Sequence, residues 1–213
     1  MKHIIIAKNK EHLVQLIKEE MKQHGPRCDL NHIDVSQVTS LECLFEKSEF
    51  DGDIRKWNVS NVTNMIRTFR GSKFDGDISN WDTSNVKRMN SMFESSQFNG
   101  DISKWNVSKV KDFSYMFWEA SFNSDISNWD VSNSRSMEYM FMYARFDRDL
   151  TNWKPMNAQK ITKILQISPA PVPYWADYED AVTRKNAIIN YWLKKDLENS
   201  LESQPFDKRK VKL

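Results

Sequence analysis

In the stretch 74-FDGDISNWDTSNVKRMNSMFESSQ-97, Phe74, Ile78 and Trp81 stand at positions that return every 24 residues. Trp57, Trp81, Trp105, Trp129 and Trp153 keep that interval, and so do Phe50, Phe74, Phe98, Phe122 and Phe146. Ile54, Ile78, Ile102, Ile126 and Leu150 hold a third position, and one step back from Trp57 lies Ile33, so the array begins near residue 30. Repetition at such a period is the mark of stacked units and takes precedence over any local assignment.

Within each unit the hydrophobic period changes. Trp81 and Thr83 alternate with Asn80, Asp82 and Ser84, the two-residue period of a short strand. Val86, Met89, Met92 and Phe93, like Val110, Phe113, Met116 and Phe117, follow helical spacing, which predicts two turns of helix capped by Ser84, Ser108 or Ser132. A single unit cannot hide its apolar stripe, so units must stack and bury Trp, Phe and Met against the same residues of the next coil. The expected fold class is an α/β solenoid of about five to six strand-turn-helix coils, with a parallel sheet on one face and helices on the other.

The FDGD segment raises the question of metal, since two acids flank a glycine. It recurs as Phe50-Asp-Gly-Asp53, Phe98-Asn-Gly-Asp101, Phe122-Asn-Ser-Asp125 and Phe146-Asp-Arg-Asp149. A calcium loop needs its charge and its sharp turn, and this motif gives up both. Its constant last residue, Asp53, Asp77, Asp101, Asp125 and Asp149, instead suits a turn in which the carboxylate accepts backbone hydrogen bonds between stacked coils.

The repeated I-S-N-W-D-[VT]-S-N-V, M-x-x-M-F and F-[DN]-G-D over residues 30–154 resembles the BspA-type leucine-rich-repeat family of bacteria, also common in mycoplasma lipoproteins. That resemblance implies a curved, leucine-rich-repeat-like solenoid used for binding rather than catalysis, often on the cell surface as an adhesin.

Flanking segments should cap the array. Residues 1–29 are expected to form a strand-helix cap, with Asn9 ahead of Leu13, Leu16, Ile17 and Met21 and a stop at Gly25-Pro26. Residues 155–213 are expected to hold a degenerate last coil, the stiff connector Ser168-Pro-Ala-Pro-Val-Pro173, a helix over 177–197 and the basic tail Lys208-Arg-Lys-Val-Lys212. In that helix Ala181, Val182, Ile188, Ile189, Trp192 and Leu193 are placed on one apolar side, which either caps the solenoid or makes a homo-oligomer.

Composition narrows the function. The 31 basic and 29 acidic residues nearly cancel, which disfavours nucleic acid as a partner. Two cysteines, a short apolar start at Ile4-Ile5-Ile6 and no long apolar run predict a cytoplasmic chain without signal peptide, lipoprotein cysteine or membrane span. His24, Cys28, His32 and Cys43 have zinc-ligand chemistry but match no finger spacing, and no nucleophile elbow, phosphate loop or unique carboxylate pair is present, so neither cofactor nor catalysis is expected.

Binding residues are sought where the units disagree. On the outer side of the second half-unit, Cys43 and Glu46, Arg67 and Arg70, Ser91 and Glu94 give way to Tyr115, Trp118, Tyr139, Met142 and Tyr143. Adjacent exposed aromatics are the material of interface hot spots, unless Trp175 or Trp192 folds back over them. The second choice is a polar grid on the strand face: Lys56, Asn58, Asn80, Asp82, Lys104, Asn106, Asn128 and Asp130. The function expected is a protein-binding scaffold, an inhibitor or adaptor, including one encoded by a mobile element against a host complex. The alternative is an adhesin exported by an unrecognised route.

Overall fold

A computed structural model describes residues 3–202 of the chain; the basic tail at Lys208–Lys212 lies outside them. Parallel bridges link Ser40, Asn64, Arg88, Asp112, Ser136 and Lys160 in succession, each 24 residues from the last. Beyond each bridge every second N–H reaches across to the following coil. Met89, Ser91, Phe93 and Ser95 donate to the carbonyls of Asp112, Ser114, Met116 and Trp118 at 3.2, 2.9, 2.9 and 2.7 Å. The chain is thus a pile of coils joined by backbone hydrogen bonds between residues one repeat apart.

The expected helix of each unit is absent: no α-helix lies between His24 and Ala181. In its place runs a chain of three-residue turns, such as Met92 N–H to Met89 carbonyl and Ser96 N–H to Phe93 carbonyl, broken by left-handed residues Ser91 (φ 57°) and Ser95 (φ 54°). Such residues cannot continue a right-handed helix. Turns that each close over three residues still bring Val86, Met89, Met92 and Phe93 inward, which is why the sequence mimics helical periodicity. The coil-to-coil hydrogen bonds offset the cost of these backbone conformations, of order 1 kcal/mol each.

The expected sheet face is also displaced. Rings of one column are near-parallel copies, so their separation measures the distance between coils. Trp57–Trp81 and Trp81–Trp105 are 6.4 Å apart with planes within 6° and 3°. Phe45–Phe69 and Phe69–Phe93, nearer the ladder, are 5.5 and 5.6 Å apart. Backbone pairing needs about 4.8 Å. The coils therefore fan, narrow on the turn side and open on the Trp side, where coils separated by stacked indoles do not pair. Side chains bridge the open side: each indole donates to a carbonyl of the coil below, as Trp81 Nε1 to Ile54 (3.2 Å) and Trp105 Nε1 to Ile78 (3.1 Å). Asn61, Asn85 and Asn133 add amide bonds to the carbonyls of Ser36, Ser60 and Ser108.

At the bottom, strand β1 (Ile5–Ile6) pairs in parallel with β2 (Ile33–Asp34), and helix α1 (Lys10–His24) buries Leu13 and Ile17. Asn9 Oδ1 accepts the N–H of His12 at 2.9 Å, and Gly25 takes φ 79° beyond the last turn. At the top, a 3-10 turn (Tyr174–Asp177) carries Trp175 onto Trp153, extending the indole column by one rung at 6.4 Å. Helix α2 (Ala181–Glu202) follows. Its anchor is Arg184, fully buried, whose guanidinium donates to the carbonyls of Ala158, Tyr178 and Glu179 at 2.8, 3.2 and 2.8 Å. The apolar residues grouped on one side of this helix divide between two. Ile188 is buried and Trp192 half-buried on the docked side, whereas Val182, Ile189 and Leu193 join Leu197 and Leu201 in an exposed stripe, because steps of three and four residues from Arg184 and from Val182 trace different faces.

Candidate functional site

In a stack each side chain has the residues 24 before and after it as neighbours, so a column acts as a one-dimensional ladder. The column of Glu46, Arg70 and Glu94, half-buried at its first two members and buried at the third, alternates in sign. Arg70 Nε donates to Glu94 Oε1 at 2.7 Å and Nη1 to Glu46 Oε1 at 3.0 Å. Burial pushes Glu46 up, but hydrogen bonds from Arg70 and Cys43 outweigh it and hold the carboxyl below its ordinary value. Hydrogen bonds to Glu94 and then Glu46 raise the guanidinium of Arg70.

In the next two coils the same column becomes Trp118 and Met142. Tyr115 and Tyr139, one repeat apart, stack at 4.9 Å with 19° between planes, and Trp118 meets Tyr143 edge-on at 6.4 Å and 81°. Tyr115 is 39% exposed and Tyr143 45%; Trp118, Tyr139 and Met142 are half-buried. Tyr115, Tyr139 and Tyr143 all sit at left-handed turn residues, φ 58°, 57° and 61°, which throw their rings outward. Burial, then Tyr139 and Glu138, raises the Tyr115 hydroxyl. All five sequence-selected residues thus share one surface on the narrow side, and Ile167, 66% exposed, extends it in the Tyr143 column.

Among the described residues, the C-terminal segment leaves this surface open. Trp175 is occupied by Trp153 and the Leu150 carbonyl, and Trp192 lies edge-on to Tyr191 with the Lys154 ammonium 3.6 Å from its ring centroid. The second-choice residues, Lys56, Asn58, Asn80, Asp82, Lys104, Asn106, Asn128 and Asp130, are exposed on the open side. Their acceptors are partly spent: Asn58, Asp82, Asn106 and Asp130 each take the N–H of the serine two residues on, at 3.2, 3.0, 3.1 and 3.0 Å. Those serines close turns of their own coil and cap no helix.

The FDGD carboxylates divide their work differently from the expectation. The constant last Asp acts locally: Asp77 accepts from Ser79 N–H at 3.0 Å and Asp101 from Ser103 at 2.9 Å. The variable first residue makes the link between coils. Asp75 N–H donates to Asp51 Oδ1 (3.1 Å), Asn99 to Asp75 (2.7 Å), Asn123 to Asn99 (2.7 Å) and Asp147 to Asn123 (3.0 Å). Asp and Asn share that Oδ1, which explains their exchange. His32 Nε2 lies 3.1 Å from Glu20 Oε1, joining the first coil to α1, and among the described residues no three His, Cys, Asp or Glu gather where they could hold a metal ion. Among those residues no helix is long and apolar enough to cross a membrane.

The family model described as Mycoplasma protein of unknown function, DUF285, matches residues 15–121 and again 94–171. The two matches span about three quarters of the chain, which belongs to that family. No curated protein and no solved structure matches it.

Proposed function

We propose that this member of the DUF285 family is a BspA-type, leucine-rich-repeat-like solenoid that works as a non-enzymatic, cytoplasmic protein-binding scaffold. It engages a protein through Tyr115, Trp118, Tyr139, Met142 and Tyr143 and acts as an inhibitor or adaptor by occupying that partner's surface. The observation that carries this reading is the change of chemistry within single columns. Where the lower coils settle these positions with an ion-paired ladder, the upper coils place exposed aromatics that no other segment among the described residues covers. Clustered aromatics of this kind supply large contact area at low entropy cost.

The test is a Trp118→Ala/Tyr139→Ala variant compared with the native chain in affinity capture from the host. The variant is expected to keep its far-UV spectrum and lose the captured protein, with hot-spot losses of about 2 kcal/mol or more per ring. A folded variant that retains the partner refutes the assignment of this surface.

A further inference from the structure

Lys87, Lys111 and Arg135 form a second column on the narrow side. The N–H of Lys111 donates to the Lys87 carbonyl at 3.0 Å and that of Arg135 to the Lys111 carbonyl at 2.8 Å, so three exposed cations occupy directly adjacent rungs. Like charges at a spacing of about 4.8 Å destabilise a ladder. The Glu46–Arg70–Glu94 column avoids this by alternating sign. Among the described residues, none of the three cations pairs with a carboxylate. Arg88 and Lys109 add flanking charge, the latter resting on Asn85 Oδ1 at 2.8 Å. Two acids stand nearby: Asp112, which lines a groove with Lys87, Arg88 and Lys111 and whose Oδ1 takes the N–H of Ser114 at 2.9 Å and its hydroxyl at 2.5 Å, and Glu138, 3.7 Å from Lys160. An open groove of about 460 Å³ lies against the column, lined by Lys111, Asn133, Arg135, Asn157 and Gln159.

A cationic column that no ion pair relieves is thus kept beside the aromatic surface, with Lys111 four residues before Tyr115 and Arg135 four before Tyr139. We propose that the protein partner lays an acidic α-helix along this side, its carboxylates on Lys87, Lys111 and Arg135; the inference rests on the protein-binding reading above. Pitch selects the helix. Three rungs stand at 0, about 4.8 and about 9.6 Å. Carboxylates at i, i+3 and i+7 of a helix rise by about 4.5 and about 10.5 Å. Alternate residues of a strand rise by about 6.8 and about 13.6 Å, leaving the third contact about 4 Å out of step. Single-stranded nucleic acid needs open aromatic faces, whereas Tyr115 and Tyr139 turn theirs toward each other.

Fluorescence anisotropy tests this with three labelled probes of about 20 residues at about 50 mM salt: a helical peptide with glutamates at i, i+3 and i+7, an extended peptide of equal charge with alternating glutamate and threonine, and oligo-dT. The helical peptide is expected to bind on the order of tenfold tighter than either other probe. Lys111→Glu, an exposed substitution that makes the column alternate, is expected to raise the melting temperature and weaken that peptide by at least about tenfold. Equal or tighter binding of the extended peptide or of oligo-dT, or undiminished binding by Lys111→Glu, overturns the proposal. In capture from the host, loss of the partner by the Trp118/Tyr139 variant but not by Lys111→Glu overturns the acidic helix and leaves the scaffold reading standing. Retention by both overturns both.

Discussion

Gly52→Ala and Gly100→Ala make the same chemical change at the same place in the repeat, and the structure assigns them different costs. At Gly52 a methyl group would stand 2.0 Å from the Cys28 carbonyl oxygen, a backbone atom that cannot swing aside. That approach exists because Asp51 and Asp53 donate to the Pro26 and Cys28 carbonyls at 2.9 and 3.2 Å, drawing the first FDGD onto the segment beneath. At Gly100 the equivalent carbonyl, that of Gly76, is 3.7 Å away, and the close atoms at 2.9 Å belong to the Phe98 ring. Higher coils link through Asx side chains instead, and Phe74–Phe98 are spaced at 6.2 Å. Overpacking against fixed backbone costs about 3 kcal/mol, whereas a ring that can shift offsets part of the smaller clash, and alanine restricts the unfolded chain by about 0.4–1 kcal/mol in favour of folding. Gly52→Ala should therefore lower the melting temperature by about 6–12 °C and Gly100→Ala by no more than about 4 °C. Thermal unfolding followed by far-UV circular dichroism and by tryptophan fluorescence measures both, coincidence of the two probes guarding against loss of cooperativity along the array. Equal losses, or the larger loss at Gly100, would refute the account of a tight first contact and a stack that opens above it.

Two further outcomes are expected. Arg184→Met leaves the carbonyls of Ala158, Tyr178 and Glu179 without the buried guanidinium, so α2 should undock at a cost of about 3 kcal/mol and limited proteolysis should cut faster between residues 171 and 181; unchanged protection would show that Arg184 is no anchor. Backbone N–H groups of Ser79, Ser103 and Ser127, followed by the serine side chains, hold Asp77, Asp101 and Asp125 below the ordinary aspartate value. Because the folded values are depressed, their contribution is present above about pH 3.9 and is lost as pH falls through the lower folded values. Melting temperatures should accordingly decline below about pH 4, and changing all three to Asn, which keeps the Oδ1 acceptor, should flatten that decline; an unaltered acid slope would place it elsewhere.

The period of 24 residues, the buried columns of Trp, Phe, Ile and Met, the Asn9-capped first helix and the outward group of four aromatics with Met142 were all legible in the sequence. A residue repeated at a constant step must meet its own copies when units stack, so the alignment of columns follows from spacing alone. The helix expected in each second half is absent because overlapping turns that close over three residues generate the apolar spacing of a helix, and nothing in Ser91, Tyr115 or Tyr139 as residue types announces a left-handed backbone. The side on which the backbone pairs was decided by bulk: stacked indoles hold the Trp side at 6.4 Å, beyond the reach of a ladder, so pairing falls to the opposite side. Lys87, Lys111 and Arg135 passed unnoticed for a related reason. Their identity and interval stand in the sequence, but only the hydrogen bonds of the narrow side turn three distant cations into neighbours, and only the lack of an ion pair to any of them among the described residues makes that meeting a cost the fold has kept.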